Sequence, residues 1–329
     1  MTTSTTNSSR PLWQRLLLRR LKFLGIIAAL LIVVGGGSYL FAPQWLIEAN
    51  TMREAMNAQL EKHSVQAGDT QWVYYEGGQG PTIVLLHGFA ARKEVWLKVA
   101  PMLTAHFRVV IPDLPGWGES SRIPNASYNI DNQAARLNDF VQTLHLQHAL
   151  FVGHSMGGAI AGVYAAEHPE DVAELALVDS FGLKFKENDF AKEAMSGKDP
   201  FIFDDRAGFL RANALAFEHV PDIPGRFIDV LVKDNIKNRA FIENTFNELR
   251  EDSQVNALQS RLDKLTMPTL GLWCHDDKII DISALDSLRN GLTHAPAIST
   301  SILNGCNHMP QMEKPQEFTQ VLTSFALAH

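Results

Sequence analysis

Cysteine is nearly absent from this chain: Cys274 and Cys306 are the two among 329 residues. A scaffold stapled by several disulfides is therefore excluded. No Cys-x-x-Cys pair and no His-Glu-x-x-His run occurs, so neither a metal nor an organic cofactor is expected. Positive charge is short as well. Lys and Arg number 29 against 36 Asp and Glu, a net charge of −7. Nucleic acid is excluded as an expected partner, because binding phosphates needs a basic face. What the chain does have is apolar residues, 46% of the total, and 18 phenylalanines. That is enough for a large core, and the length fits one α/β domain carrying an inserted subdomain.

The one long uncharged run lies near the N-terminus. Residues 1–9 are polar, and Arg10, Arg15, Arg19, Arg20 and Lys22 follow. Residues 23–42 are then free of charge up to Pro43. Crossing a bilayer takes about 20 apolar residues in a helix, so 23–42 reads as a transmembrane anchor. The basic residues near it all precede it, which predicts a cytoplasmic tail at 1–22 and the rest of the chain on the other side, periplasmic if the cell is bacterial. The competing reading is a cleaved signal segment that releases a soluble protein, with Gly36-Gly37-Ser38 as the small residues offered to a peptidase. Trp45, Ala49, Met52, Met56 and Leu60 recur at steps of three and four, one stripe of a helix within a connecting segment 43–69. Packing on the domain is the expected role of that helix; lying on the membrane surface is the other.

From about Trp72 the pattern alternates. Strands are predicted at Thr82–Leu86, Phe107–Ile111, Ala149–Val152 and Leu175–Val178, and helices at Glu94–Leu103, Asn129–Leu144 and Ser155–Glu167. Such βαβ units imply a mostly parallel sheet covered on both faces. Residues 181–265 break the alternation with helical patterns rich in phenylalanine, and read as a helical cap inserted between two strands. Alternation resumes with Thr269–Trp273, Ile282–Leu292, Ile298–Leu303 and Gln316–Leu327. The core is therefore predicted at 70–180 and 266–329.

Gly153-His154-Ser155-Met156-Gly157-Gly158 follows a strand and opens a helix. Gly-x-Ser-x-Gly in that context places a serine on a turn too tight for side chains beside it, with a helix N-terminus aimed at a developing oxyanion. A serine hydroxyl needs a base to act as nucleophile. Two later loops supply one, together with an acid: Cys274-His275-Asp276-Asp277-Lys278 and Asn304-Gly305-Cys306-Asn307-His308. Both leave the sheet edge at which Ser155 stands. His308 is the candidate base and Asp277 the acid that orients it, with Asp276 as the alternative.

His87-Gly88-Phe89, Asp113 through Ser120, Gly153 through Gly158, Asp277 and His308 together resemble the α/β-hydrolase family, over residues 70 to 329. The resemblance implies that the backbone N–H groups of Phe89 and Met156 form the oxyanion hole. The run Val163-Tyr164-Ala165-Ala166, Leu177-Val178-Asp179 and the N-terminal anchor are similar to membrane-attached monoacylglycerol lipases and related bacterial lipases. Hydrolysis of a small lipophilic ester through an acyl-enzyme is the implied reaction. Thioesters, amides, lactones or the C–C bonds of diketones are the alternative substrates, and an inactive membrane-tethered binding protein is a further one. The sequence departs from the family at Cys274 and Asn307, which stand where glycines are usual. Asn tolerates left-handed backbone, which would account for Asn307. His87, His154 and Asp113 are expected to brace loops, and His275 to play no part. Some cap phenylalanines are expected to line an acyl pocket. The two cysteines end strands that are neighbours in this fold; two unbridged thiols are the expectation, and a disulfide the alternative outside the cytoplasm.

Overall fold

The computed structural model describes residues 12–329. Residues 1–9 and Arg10 of the basic tail lie outside the described residues. The chain divides after Asn50 into two compact units. In the first, a single helix α1 (Leu12–Phe41) contains the whole uncharged run and buries none of its residues. It is long and apolar enough to cross a membrane. Pro43 opens helix α2 (Pro43–Asn57), since proline suits the first turn of a helix and no later one.

The second unit is built on one eight-stranded sheet. Strands β1 (Leu60–Ala67) and β2 (Thr70–Gly77) form an antiparallel hairpin, and β2 also runs antiparallel to β4 (Arg108–Pro112). The remaining strands are parallel: β3 (Thr82–Leu86), β5 (Ala149–His154), β6 (Val172–Val178), β7 (Thr269–Cys274) and β8 (Ile298–Leu303). The order across the sheet is β1-β2-β4-β3-β5-β6-β7-β8. Strands β5 and β7 are buried at every position and read as continuous apolar runs, as strands covered on both faces must.

Helices cover both faces. Between β3 and β4 lies the short α3 (Ala100–Leu103); α4 (Ile130–Leu144) and α5 (Met156–Glu167) flank β5. Asn129 caps α4, its side chain accepting from the Asn132 N–H. Between β6 and β7 come α6 (Asp189–Met195), α7 (Arg206–Ala216), α8 (Gly225–Leu249) and α9 (Asp252–Val255), with no strand among the described residues there. The chain closes with α10 (Ala284–Gly291) before β8, then α11 (Pro310–Glu313) and α12 (Pro315–Ala326). One core unites α4, α5 and α10 with one face of the sheet; the other unites α3 and α12 with the opposite face. This is the predicted α/β architecture.

Four expectations need correction. The apolar stripe does not run on to Leu60: the helix stops at Asn57, and Leu60 begins β1. Nor do the stripe's members in the second unit pack into its core: Met52 and Met56 are exposed, while Ala55 and Ala58 are the residues buried there. Glu94–Leu103 is not one helix; a 3-10 turn at Lys93–Trp96 is followed by α3, with Pro101 in its first turn, where its missing N–H costs nothing. Finally, Cys274 and Cys306 form a disulfide rather than two free thiols. Cys274 pairs in register with Leu303, so the chain leaving β8 returns the second cysteine to within 5.5 Å, Cα to Cα.

Candidate active site

Ser155 stands between β5 and α5 with φ +52, left-handed backbone that a non-glycine residue adopts only when its surroundings impose it. The turn is tight because its neighbours have no side chains. A Cβ at Gly153 would run into the backbone of Gly157 and Gly158, and one at Gly157 into the carbonyls of Leu86 and His87. Met156 opens α5, so its N–H is among those at a helix start with no carbonyl inside the helix to receive them. Phe89 sits in the loop that leaves β3, next to Gly88, where a Cβ would crowd the Ser155 side chain at 3.0 Å.

The acid and base loops leave β7 and β8, two and three strands away from the one that carries the serine. Asp277 Oδ2 lies 2.8 Å from His308 Nδ1. Its Oδ1 accepts the N–H groups of Ile279 at 2.8 Å and Ile280 at 3.1 Å, so the carboxylate cannot turn away from the ring. Nδ1–H therefore donates to the carboxylate, which leaves Nε2 as the ring nitrogen free to face the serine. The alternative acid, Asp276, is exposed and holds His275 Nδ1 at 2.7 Å; neither reaches His308.

Asn307 stitches this region together. Its side-chain oxygen accepts the Lys278 N–H, joining the base loop to the acid loop, and its amide N–H donates to the Leu215 carbonyl at the end of α7. Asn307 is not among the residues with left-handed backbone; Gly305 takes that conformation instead, with φ +68. The asparagine is explained by its amide, not by backbone tolerance. Cys274 likewise needs no glycine-like freedom, since it spends its side chain on the disulfide.

His154 and His87 are both fully buried and neutral, held so chiefly by the cost of charging them away from water. The pKa of His87 falls to about 4, and that of His154 lies well below the ordinary histidine value. The Nε2–H of His154 donates to the His308 carbonyl at 2.6 Å. The Leu114 N–H donates to His87 Nε2, and His87 Nδ1–H to the Gly88 carbonyl. His87 thus ties the Phe89 loop to the loop after β4. Asp113 fixes that second loop by accepting the N–H groups of Lys93 and Glu119. A residue the sequence did not single out completes this support: the Lys93 ammonium, fully buried, lies 2.6 Å from Asp113 Oδ2 and 2.7 Å from Glu119 Oε2. A lone lysine in a polar stretch carries no signal of burial. Asp179, at the end of β6, entered the sequence reading only within the run Leu177-Val178-Asp179, and no spacing rule marks it as part of the site.

A cavity of about 180 Å³ opens over Ser155 and His308. Phe89, Phe181, Phe185, Phe190, Phe201 and Phe246 wall it. Other phenylalanines of residues 181–265 face away from it. Phe203 and Phe209 join Ile228 and Val232 in a small core of their own, and Phe241 packs on Trp117 and Tyr128.

An antiparallel hairpin leading into a parallel sheet, a serine on a strand-to-helix turn and a buried acid–histidine pair beside it define the architecture of an α/β hydrolase. Residues 81–225 match the α/β hydrolase fold family. The chain is 30% identical over 310 residues to monoacylglycerol lipase ABHD6 of Bos taurus, covering 90% of this chain and 91% of that one. It is 28% identical to Lipase 1 of Psychrobacter immobilis over 80% of this chain and 83% of the other. Among solved structures, a membrane phospholipase A described as a bacterial virulence factor superposes with a TM-score of 0.83 at 33% identity, over 94% of this chain and 98% of that one. The chain belongs to the α/β-hydrolase family, as a carboxylic ester hydrolase of the lipase and esterase type.

Proposed function

We propose that this hydrolase cleaves lipophilic esters of the monoacylglycerol kind through an acyl-enzyme. The observation that carries the reading is the Asp277–His308 pair, 2.8 Å apart, whose histidine lines with Ser155 one cavity walled by phenylalanines. His308 Nε2 takes the Ser155 proton as the hydroxyl attacks the ester carbonyl, and returns it to the departing alcohol. Water then repeats the cycle on the acyl-enzyme. Asp277 holds the tautomer and stabilises the transient imidazolium. The Phe89 and Met156 N–H groups receive the oxyanion. The rings of Phe181, Phe185, Phe190, Phe201 and Phe246 make residues 181–265 a cap that favours an acyl chain over a sugar or peptide. The names of the relatives, a monoacylglycerol lipase and a lipase, support the same substrate class.

On topology, α1 serves as an uncleaved anchor, with residues 1–22 in the cytoplasm. The Cys274–Cys306 disulfide supports placing the catalytic unit on the other side, since disulfides persist in oxidising compartments. Turnover of p-nitrophenyl esters from short to long acyl, by the full chain and by Ser155→Ala, tests the reading. Activity on medium or long chains that vanishes in the variant is the expected result. No turnover of any ester by either protein would overturn it.

A further inference from the structure

Beside the acid–base pair lies a second carboxyl that the proposed mechanism does not use. Asp179 is the first residue after β6, completely buried, with φ +42. Its N–H donates to the Leu272 carbonyl of β7, and its Oδ1 accepts the Cys274 N–H at 2.9 Å. Asp179 is thereby fixed to the strand that launches Asp277. Through Cys274 it is also linked to Cys306, two residues before His308. Its Oδ2 is buried with no donor beside it. Asp277 follows Cys274 by three residues, and the His308 ring that holds it comes within the same small cluster as Asp179. One atom each of Asp179, His154 and His308 also fall within 4.8 Å of one another.

The charges that face Asp179 are few. Asp277 comes from the acid loop, His308 from the base loop, His154 from the elbow and Glu313 from α11. His154 is neutral and already donates to the His308 carbonyl. No lysine or arginine reaches Asp179 by any ion pair among the described residues. Two carboxylates buried side by side without a cation cannot both be ionised. Burial, and then the charge of Asp277, push the Asp179 carboxyl well above the ordinary range. Asp277 is the one with three N–H donors aimed at it, two from backbone and one from His308, so Asp277 keeps the charge.

We propose that Asp179 is a positioning residue for the triad, a neutral carboxylic acid whose Oδ2–H donates to the Asp277 carboxylate. This rests on the triad reading given above. The proton satisfies the orphan oxygen and makes a fourth hydrogen bond to Asp277, which fixes the carboxylate against the imidazole. Because the donor is uncharged, it does this without placing a second anion beside the acid–base pair.

The test compares Asp179→Asn and Asp179→Ala with the full-length enzyme, following kcat and KM against pH. Asparagine keeps both functions: its carbonyl can accept the Cys274 N–H, and its amide can donate to Asp277. Asp179→Ala should lower kcat about tenfold with KM little altered, and Asp179→Asn should restore kcat to within about threefold of the parent. The acid limb of kcat/KM, which follows His308, should stay in place in Asp179→Asn. If Asp179 were ionised, removing its charge would move that limb down by about one unit, and that shift would overturn the proposal. Full activity in Asp179→Ala would overturn it too. Should the alanine variant fail to fold, infrared difference spectroscopy of Asp179→Asn against the parent decides. A protonated-carboxyl band at neutral pH, lost in the variant, supports the assignment, and its absence from the parent sinks it. Ser155→Ala run alongside separates the two readings. If it is active, the triad itself has failed; if it is dead while the Asp179 variants are normal, this proposal alone has.

Discussion

Two buried polar clusters flank Ser155, and they are built on opposite electrostatic terms. On the side of the Phe89 loop, Lys93 meets Asp113, Glu119 and Glu94 within 3.1 Å, and Lys62 adds a second cation to Glu119. Every carboxylate there has an ammonium, and desolvation, which would neutralise Lys93, is outweighed by Asp113 and Glu94, so its pKa is raised. On the other side, Asp277 and Asp179 are buried with two histidines and no ammonium. A saturated cluster holds a loop still and has no proton to lend. A cluster short of positive charge must hold protons to be stable, and it can therefore pass one. The scaffold and the proposed chemistry are separated by this difference in charge balance, although the Lys93–Asp113 pair is as deeply buried as Asp277 and Asp179.

Breaking the charge-deficient cluster should give the largest effect on turnover. Asp277→Asn leaves the shape of the site intact but lets His308 adopt the wrong tautomer, so kcat should fall by about 10⁴-fold with the fold unaffected. Steady-state kinetics with a thermal melt of the same preparation checks both halves. A loss below about tenfold would mean that another acid orients His308, and the contrast between the clusters would collapse.

Breaking the saturated cluster should do the reverse. Lys93→Met leaves Asp113 buried without its cation, at a cost of about 3 to 5 kcal/mol in stability. Because the Asp113 oxygens still hold the N–H groups of Lys93 and Glu119, the loop geometry should survive in the folded fraction, with kcat per folded molecule far closer to the parent than in Asp277→Asn. Denaturant unfolding with active-site titration measures the two quantities separately. A collapse of kcat at unchanged stability would show that Lys93 serves the chemistry directly.

The two clusters also differ in how far sequence reveals them. Ser155 and Asp277 follow β5 and β7, whose apolar runs are unmistakable because a parallel strand covered on both faces has no polar positions to blur it; His308 follows β8, an edge strand reading ISTSIL, and is legible by its order after the other two. The order of those strands puts the loops at one edge before any coordinate is known. Lys93 and Asp179 are legible only from contacts across the chain, to residues 20 and 95 positions away. The same physics explains the misread region. β1 reads LEKHSVQA, an edge strand with most side chains in water, so burial imposes no alternation on it. Its first residue, Leu60, happens to sit four places after Met56 and extends a helical stripe that has already ended. The disulfide lay between the two cases. Neighbouring strands were readable, but the return of Cys306 toward Cys274 depends on the turn after β8. Phenylalanine content, finally, pointed to a pocket without saying which rings wall it, because rings that pack on one another and rings that face a cavity have the same composition.

A half-buried carboxyl beside the pocket wall sharpens the comparison on a smaller scale. Asp199 precedes Phe201 in the pocket wall; its Oδ1 accepts the Phe201 N–H at 2.8 Å, and its Oδ2 is buried without a partner. It has neither the lysine of the first cluster nor the histidine of the second. Burial chiefly, and then the charge of Glu243, raise its pKa to about 7. The sign follows from the folded value lying above the unfolded one, which is about 3.9. The native state holds this proton more tightly than the unfolded chain, so the contribution to stability is complete below pH 4 and is lost as pH rises through about 7. Asp199→Asn, neutral at every pH and still able to accept from Phe201, should melt higher than the parent at pH 8, with the gain shrinking toward pH 5. Thermal melts of the two proteins at both values measure it. An equal gain at both would assign the benefit to packing rather than to a proton, and a loss at pH 8 would mean that the carboxylate finds a cation there, as the one beside Lys93 does.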